Sequence, residues 1–297
     1  MIETGAMPTS ARRGFFARNR WLLARRSVQL GILALFLAGP WFGLWWLKGN
    51  LASSTFLDRI PLTDPLLILQ SLAARHKPET AALIGALIVL AFYVVVGGRA
   101  YCSWVCPVNM VTDCAHWLRS RLNISASWQP RKSTRRWVLL TAVIVSALTG
   151  AIAWELVNPI TMLQRGLVFG LGIAWVVVLA VFVFDLAVSR RGWCSYLCPV
   201  GAFYGIVGKA SVVRVNATQR NACTDCGDCF RVCPEPHVIS PALKPPEATA
   251  PTVVLHGDCT NCGRCIDVCE EDVFKFSTRF GGMAQSAAHA VMSRRPH

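Results

Sequence analysis

Four long runs of apolar residues, 28–47, 81–97, 137–153 and 166–188, set the pattern of the first two thirds of this chain. None carries a charge in its middle, and Asp185 lies near the end of the fourth. Crossing a bilayer takes about 20 apolar residues or slightly fewer. Each run therefore predicts a transmembrane helix, the second and third at the short end of the range. Past residue 200 the runs stop and closely spaced cysteines begin. The pattern predicts an integral membrane α-helical protein: a tail over residues 1–27, a four-helix domain over 28–200, a small C-terminal domain over 201–280 and a tail over 281–297.

Composition agrees: 54% of the residues are apolar, only 15% are charged and the mean hydropathy is +0.43, whereas soluble domains carry about 25% charge. The charges also orient the helices. Arg12, Arg13, Arg18, Arg20, Arg25 and Arg26 precede the first run, and Arg99, Arg119, Arg121, Arg131, Lys132, Arg135 and Arg136 separate the second from the third. The other connections hold Lys48, Arg59, Arg75 and Lys77, and Arg165 alone. Cytoplasmic loops collect Lys and Arg, so both termini are expected in the cytoplasm of a bacterial inner membrane, with residues 48–80 and 154–165 outside. Trp41, Trp45 and Trp46 fit an interfacial aromatic belt. This topology accounts for the net charge of +14, and no basic patch on a soluble face points to nucleic acid. The segment Ala11-Arg12-Arg13-Gly14-Phe15-Phe16 looks like a twin-arginine export signal. More arginines follow it, however, and no small-residue cleavage site follows the apolar run, so it reads as a cytoplasmic anchor.

The chain repeats itself. Arg99-Ala100-Tyr101-Cys102-Ser103-Trp104-Val105-Cys106-Pro107-Val108 returns as Arg191-Gly192-Trp193-Cys194-Ser195-Tyr196-Leu197-Cys198-Pro199-Val200. A second echo sets Asp64-Pro65, with Leu69-Gln70, against Asn158-Pro159, with Leu163-Gln164. Each unit is a helix, an external Asx-Pro turn with a short helical segment, a second helix and an internal Cys-x3-Cys-Pro. Two crossings per unit keep both units in one orientation, a parallel repeat. Cysteines four apart share a helix face. A lone pair cannot complete a tetrahedral thiolate site, but Cys102, Cys106, Cys194 and Cys198 together can. The alternative is two reduced structural dithiols. Cys114 reads as a small buried side chain.

The richest chemistry lies near the C-terminus, in Cys223-x2-Cys226-x2-Cys229-x3-Cys233-Pro234 and Cys259-x2-Cys262-x2-Cys265-x3-Cys269. Each run has the spacing that wraps a 4Fe-4S cluster, and the fourth cysteine of each ligates the other cluster. Cys223, Cys226, Cys229 and Cys269 would bind one cluster, and Cys259, Cys262, Cys265 and Cys233 the second. A zinc site has no use for four cysteines so close together, and disulfides need an oxidising compartment. Glu270 replaces the proline after the second run, which leaves the ligand count intact. Residues 241–251 read as an extended proline-rich spacer. So small a domain, bacterial-ferredoxin-like with two clusters, depends on them for stability. His237 and His256 read as surface residues.

Along nearly its whole length the chain resembles the NapH-type ferredoxin-like membrane proteins that accompany periplasmic nitrate reductase. The resemblance rests on the four helices, the Cys102/Cys106 and Cys194/Cys198 pairs, the two cluster runs, and stretches such as Leu62-Thr63-Asp64-Pro65-Leu66 and Cys233-Pro234-Glu235-Pro236-His237. It implies the membrane subunit of a quinol dehydrogenase, with menaquinol or ubiquinol as substrate. It also implies a NapG-like periplasmic ferredoxin-type partner and a membrane-anchored multihaem cytochrome c. Rival readings are an assembly or maturation redox factor and a redox sensor. Quinol oxidation releases protons, so a base is expected near the membrane face. Glu155, at the outer end of the third helix, is the candidate, with Asp64 and His76 behind it; a solvated helix-end acid is the plain alternative. Positive-inside anchoring explains Arg99 and Arg191. The clusters fall inside and the acceptor outside, and no histidine in the helices marks a haem route between them.

Overall fold

The computed structural model describes residues 14–125, 127–170, 172–245 and 250–281. Arg12 and Arg13, the middle of the proline-rich link and the tail after residue 281 lie outside the described residues.

A short turn, α1 (Phe15–Arg18), leads into α2 (Arg20–Phe42). Against the apolar run at 28–47, this helix starts earlier and closes at Gly43, whose amide donates to the Gly39 carbonyl and whose left-handed backbone (φ 72°) lets the Leu44 amide reach that of Ala38. Trp45 and Trp46 therefore fall beyond the helix. The chain then forms a three-stranded antiparallel sheet, β1 (Leu47–Gly49), β2 (Ser53–Phe56) and β3 (Ile60–Thr63). Next come α3 (Pro65–Ala73), α4 (Thr80–Val96), α5 (Ala100–Trp104), α6 (Val108–Arg121) and α7 (Thr134–Thr149). The second repeat supplies α8 (Pro159–Phe169), α9 (Ile173–Val183) with a π-helical turn over Phe184–Val188, a second π-helical turn over Trp193–Leu197, and α10 (Pro199–Gly208).

The long helices α2, α4, α7 and α9 fall on the four apolar runs. Among the described residues only α2 is long and apolar enough to cross a bilayer by itself. The second run is short, as its sequence suggests: α4, with 17 residues, reaches about 25 Å at 1.5 Å per residue. Its outward face, with those of α7 and α9, is nonetheless bare hydrocarbon: Leu87, Leu148 and Val176 are 69%, 80% and 62% exposed.

The two repeats brace each other. Asp64 caps α3 by accepting from the Leu66 amide (3.0 Å), and Asn158 caps α8 by accepting from the Ile160 amide (3.1 Å), each with proline at the first helical position. Gln70 then accepts from the Trp154 amide (3.1 Å) of the second repeat, while Gln164 accepts from the Leu51 amide (2.9 Å) of the first. The echo read in the sequence is thus a pair of reciprocal hydrogen bonds between repeats. Tyr93, Tyr101, Leu139, Trp154, Val181 and Tyr204 share the core between them.

The C-terminal domain comprises β4 (Val213–Asn216), α11 (Asp228–Val232), α12 (Ser240–Leu243), α13 (Arg264–Val268) and β5 (Lys275–Thr278), with β4 and β5 paired antiparallel. Its own core gathers Val215, Val238, Ile266 and Phe274. The expected extended spacer opens instead with a helical turn, because Ala242 and Leu243 bury into that core. Residues 201–208 belong with the helices, since Ala202 and Tyr204 lie in the helical core.

The two domains touch backbone to backbone. A Cβ on Gly208 would stand 2.7 Å from the Gly257 carbonyl oxygen. Glycine to alanine inside a helix ordinarily stabilises by roughly 0.5–1 kcal/mol. Here the clash is expected to win: Gly208→Ala should cost about 1–3 kcal/mol, read as a lower thermal midpoint. A raised midpoint would refute the close approach.

Candidate functional site

The two cysteine runs fold alike. In Cys223-Thr224-Asp225-Cys226-Gly227 and Cys259-Thr260-Asn261-Cys262-Gly263 the Asx residue and the glycine both take left-handed backbone (φ 60° and 75°; 46° and 71°). Asx and Gly are the residues that tolerate this region. Each glycine opens a one-turn helix, α11 or α13. Cys233 lines one closed, almost wholly apolar cavity of about 20 Å³ with Cys259, Cys262 and Cys265, under Val215 and Phe274. Burial chiefly, and then the nearby thiols of Cys223, Cys226 and Cys269, push the Cys229 thiol up to about 12. The fourth cysteine of each run therefore lies with the first three of the other.

The Cys-x3-Cys-Pro pairs also meet. Cys102, Cys106, Cys194 and Cys198 line a second closed cavity of about 20 Å³, walled by Tyr101, Ile160 and Trp193 without polar surface. The Gly201 amide donates to Cys198 Sγ (3.5 Å), and Thr112 Oγ1 lies 3.9 Å from Cys194 Sγ. Among the described residues only His237, His256 and Asp258 bring three ligand atoms within 4.8 Å of one another. Two of these are surface histidines, and Asp258 is held in an ion pair by Arg135. Cys114 is exposed, because α6 turns Thr112 and Ala115 inward instead; its expected burial is corrected.

A third, larger cavity of about 360 Å³ opens between α2, the sheet and α4. Its walls include Phe36, Leu62, Ile88 and Phe92, together with Asp64, Tyr93, Tyr101 and Tyr204. The Tyr204 hydroxyl donates to Asp64 Oδ1 (3.3 Å). Tyr204 stacks on Tyr101 with ring centroids 5.0 Å apart and meets Tyr93 edge-on at 5.1 Å. Burial pushes the Asp64 carboxyl up to about 6, against the opposing pull of the Leu66 amide and the Tyr204 hydroxyl. Tyr101 lines both this cavity and that of the four cysteines. Glu155 is not part of its lining: it sits in the turn Ala153–Leu156 and accepts from Asn158 Nδ2 (3.1 Å). His76 pins the loops together, its Nε2 2.9 Å from the Gly150 carbonyl oxygen. The tyrosines escape a sequence reading because they fall on three segments; the aromatics that accompany both cysteine motifs were the available hint.

Buried charge fastens the cysteine-rich domain to this level. Arg99 donates to Glu235 Oε1 (3.0 Å), to the Asp258 carbonyl (3.0 Å) and to the Cys194 carbonyl (3.2 Å). Ser103 Oγ donates to the Thr260 carbonyl (2.7 Å), and Trp104 Nε1 to that of Asn261 (3.0 Å). Lys132 and Arg135 join Glu235 at 2.6 and 3.4 Å. Burial works to raise the Glu235 carboxyl, but Arg99, Lys132 and Arg135 outweigh it and hold it below the usual carboxylate range. Arg191 bonds Asp113 at 3.0 Å. Both repeat arginines thus carry structural contacts beyond anchoring.

Paired cysteine runs on a helical scaffold define a ferredoxin-type 4Fe-4S protein, and the family comparisons agree. A 4Fe-4S binding domain model matches residues 79–125 and 169–217, one match around each Cys-x3-Cys-Pro, and a 4Fe-4S dicluster domain model matches residues 222–273. The chain is 54% identical over 91% of its length to the methylamine utilization ferredoxin-type protein MauN of Methylorubrum extorquens, covering 93% of that protein. It is 48% identical over 93% of its length to the ferredoxin-type protein NapH of Escherichia coli, covering 95% of it. This chain belongs to the family of ferredoxin-type proteins that includes NapH and MauN. No solved structure matches it.

Proposed function

We propose that this protein is a membrane iron–sulfur electron carrier, the quinol-oxidising subunit of a complex that feeds periplasmic nitrate reductase. The observation that carries the reading is the 360 Å³ largely apolar cavity that is lined by Asp64 and Tyr204 and shares Tyr101 with the cavity of Cys102, Cys106, Cys194 and Cys198. It suits a hydrophobic substrate with a hydroxylated ring, and it holds a base that burial keeps near the working pH. The exposed hydrocarbon of α4, α7 and α9 supports four crossings, with the basic segments, both termini and the cysteine-rich domain on the cytoplasmic side.

Cys223, Cys226, Cys229 and Cys269 hold one 4Fe-4S cluster, and Cys259, Cys262, Cys265 and Cys233 the other. The donor set fits: four thiols per site, and at the second site an almost wholly apolar cavity. When bound, such clusters supply one-electron carriers. Oxidation of a quinol to a quinone releases two electrons and two protons; the Asp64 carboxylate accepts the protons in turn, and the Tyr204 hydroxyl orients it. A NapG-like periplasmic partner takes the electrons onward. A second reading, service in methylamine utilisation, is favoured by 54% identity to MauN against 48% to NapH. The test is EPR of the anaerobically purified protein before and after menaquinol or ubiquinol. A growing cluster signal is expected. Clusters that ignore both quinols would move the protein to the maturation class.

A further inference from the structure

We propose that Cys102, Cys106, Cys194 and Cys198 together bind a third 4Fe-4S cluster, with two ligands from each repeat. The matched 4Fe-4S stretches, 79–125 and 169–217, carry only Cys102, Cys106 and Cys114 in one case and Cys194 and Cys198 in the other. With Cys114 exposed on α6, neither stretch holds four ligands. The fold joins the halves: all four cysteines line one closed cavity, equal in volume, at about 20 Å³, to the cavity lined by Cys233, Cys259, Cys262 and Cys265.

Spacing argues against a single ion. Tetrahedral zinc with Zn–S bonds of about 2.3 Å draws its sulfurs to about 3.8 Å of one another. No three of these thiols lie within 4.8 Å of one another, and none is disulfide-bonded. In a cluster each thiolate binds a different iron, so the sulfurs stand wider apart. An all-thiol donor set without carboxylate or imidazole also selects iron–sulfur chemistry over hard cations. The surroundings suit an anionic cluster. Arg99 donates to the Cys194 carbonyl (3.2 Å), and the Gly201 amide donates to Cys198 Sγ (3.5 Å). The same Arg99 bonds the carbonyl of Asp258, next to Cys259, and Ser103 bonds that of Thr260. Two hydrogen-bonded bridges therefore link this site to the second ferredoxin site. Ile160, from the outer connection between α7 and α9, reaches the same cavity. The site thus stands between the outer segments and the inner domain, where a route across the bilayer needs a station.

The inference does not need the quinol reading, and iron counting tests it. The full chain, purified anaerobically in detergent, is expected to hold about twelve irons and twelve sulfides, four of each per cluster. About eight irons in the wild-type chain would overturn the proposal, as would eight irons with one zinc. Cys106→Ser/Cys198→Ser, which takes one ligand from each repeat, should lose about four irons while the EPR signals of the remaining two clusters persist. Cys114→Ser should lose none. Unchanged iron in the double variant would also overturn it. Because the wild-type count decides by itself, a variant that fails to fold leaves the test intact.

Discussion

Asp64→Asn is expected to leave the fold and the iron content intact and to slow quinol-driven reduction of the clusters by about 100-fold or more, the range that a positioned general base supplies. The structure contains its own control for folding. Asn158 already performs, for α8, the capping that Asp64 performs for α3, with the same amide-to-Oδ1 geometry. Asparagine at residue 64 therefore keeps the cap and removes only the proton acceptor. The pH profile separates this from a packing defect. The carboxyl accepts a proton only when ionised, and burial pushes it up to about 6. In the wild type the rate should fall as pH drops through about 6; in Asp64→Asn it should stay low and flat. Stopped-flow reduction with a soluble quinol reads both. Glu155→Gln, altering a carboxylate that does not line the cavity, should retain most of the rate. If the two variants exchange behaviour, Glu155 is the base after all.

Glu235→Ala should be the most destabilising single change at the junction of the two domains. The carboxylate is 1% exposed and faces Arg99, Lys132 and Arg135. Removing it leaves Arg99, 2% exposed, buried without its ion-pair partner, while Arg135 keeps only Asp258. Breaking a buried ion pair from one side costs about 3–5 kcal/mol. Lys132→Ala takes away a side chain that is 38% exposed and should cost under about 1 kcal/mol. Arg99→Lys should not restore what Glu235 loses, since one ammonium cannot reach Glu235 and the carbonyls of Asp258 and Cys194 together. Thermal unfolding of the iron-loaded protein measures all three. Equal midpoints for Glu235→Ala and Lys132→Ala would show that the cluster of charges contributes nothing to docking.

Particular residues mark how far the sequence could be read. The Asx-Pro echo was visible because capping is local: Asp64 and Asn158 bond amides two residues on. The cluster runs were visible for the same reason, since Cys-x2-Cys-x2-Cys is a local spacing. Glu155 and Asp64 both look like acids at a membrane boundary, and nothing local says that Asp64 lines a cavity and Glu155 does not. The exposure of Cys114 is not legible in the sequence, because it depends on which face α6 turns to its neighbours.

The class of chemistry, the family and the positions of the long helices follow from residue type and from spacings of a few residues, where the chain's own geometry determines which side chains share a face. The meeting of Cys102 and Cys106 with Cys194 and Cys198, the hydroxyl of Tyr204 on Asp64 and the grip of Arg99 on Glu235 join residues from 88 to 140 positions apart. Such contacts depend on how helices pack, and packing reflects volumes and buried polar partners summed over the whole core. Tertiary structure alone decided them, and with them which acid stands in the cavity.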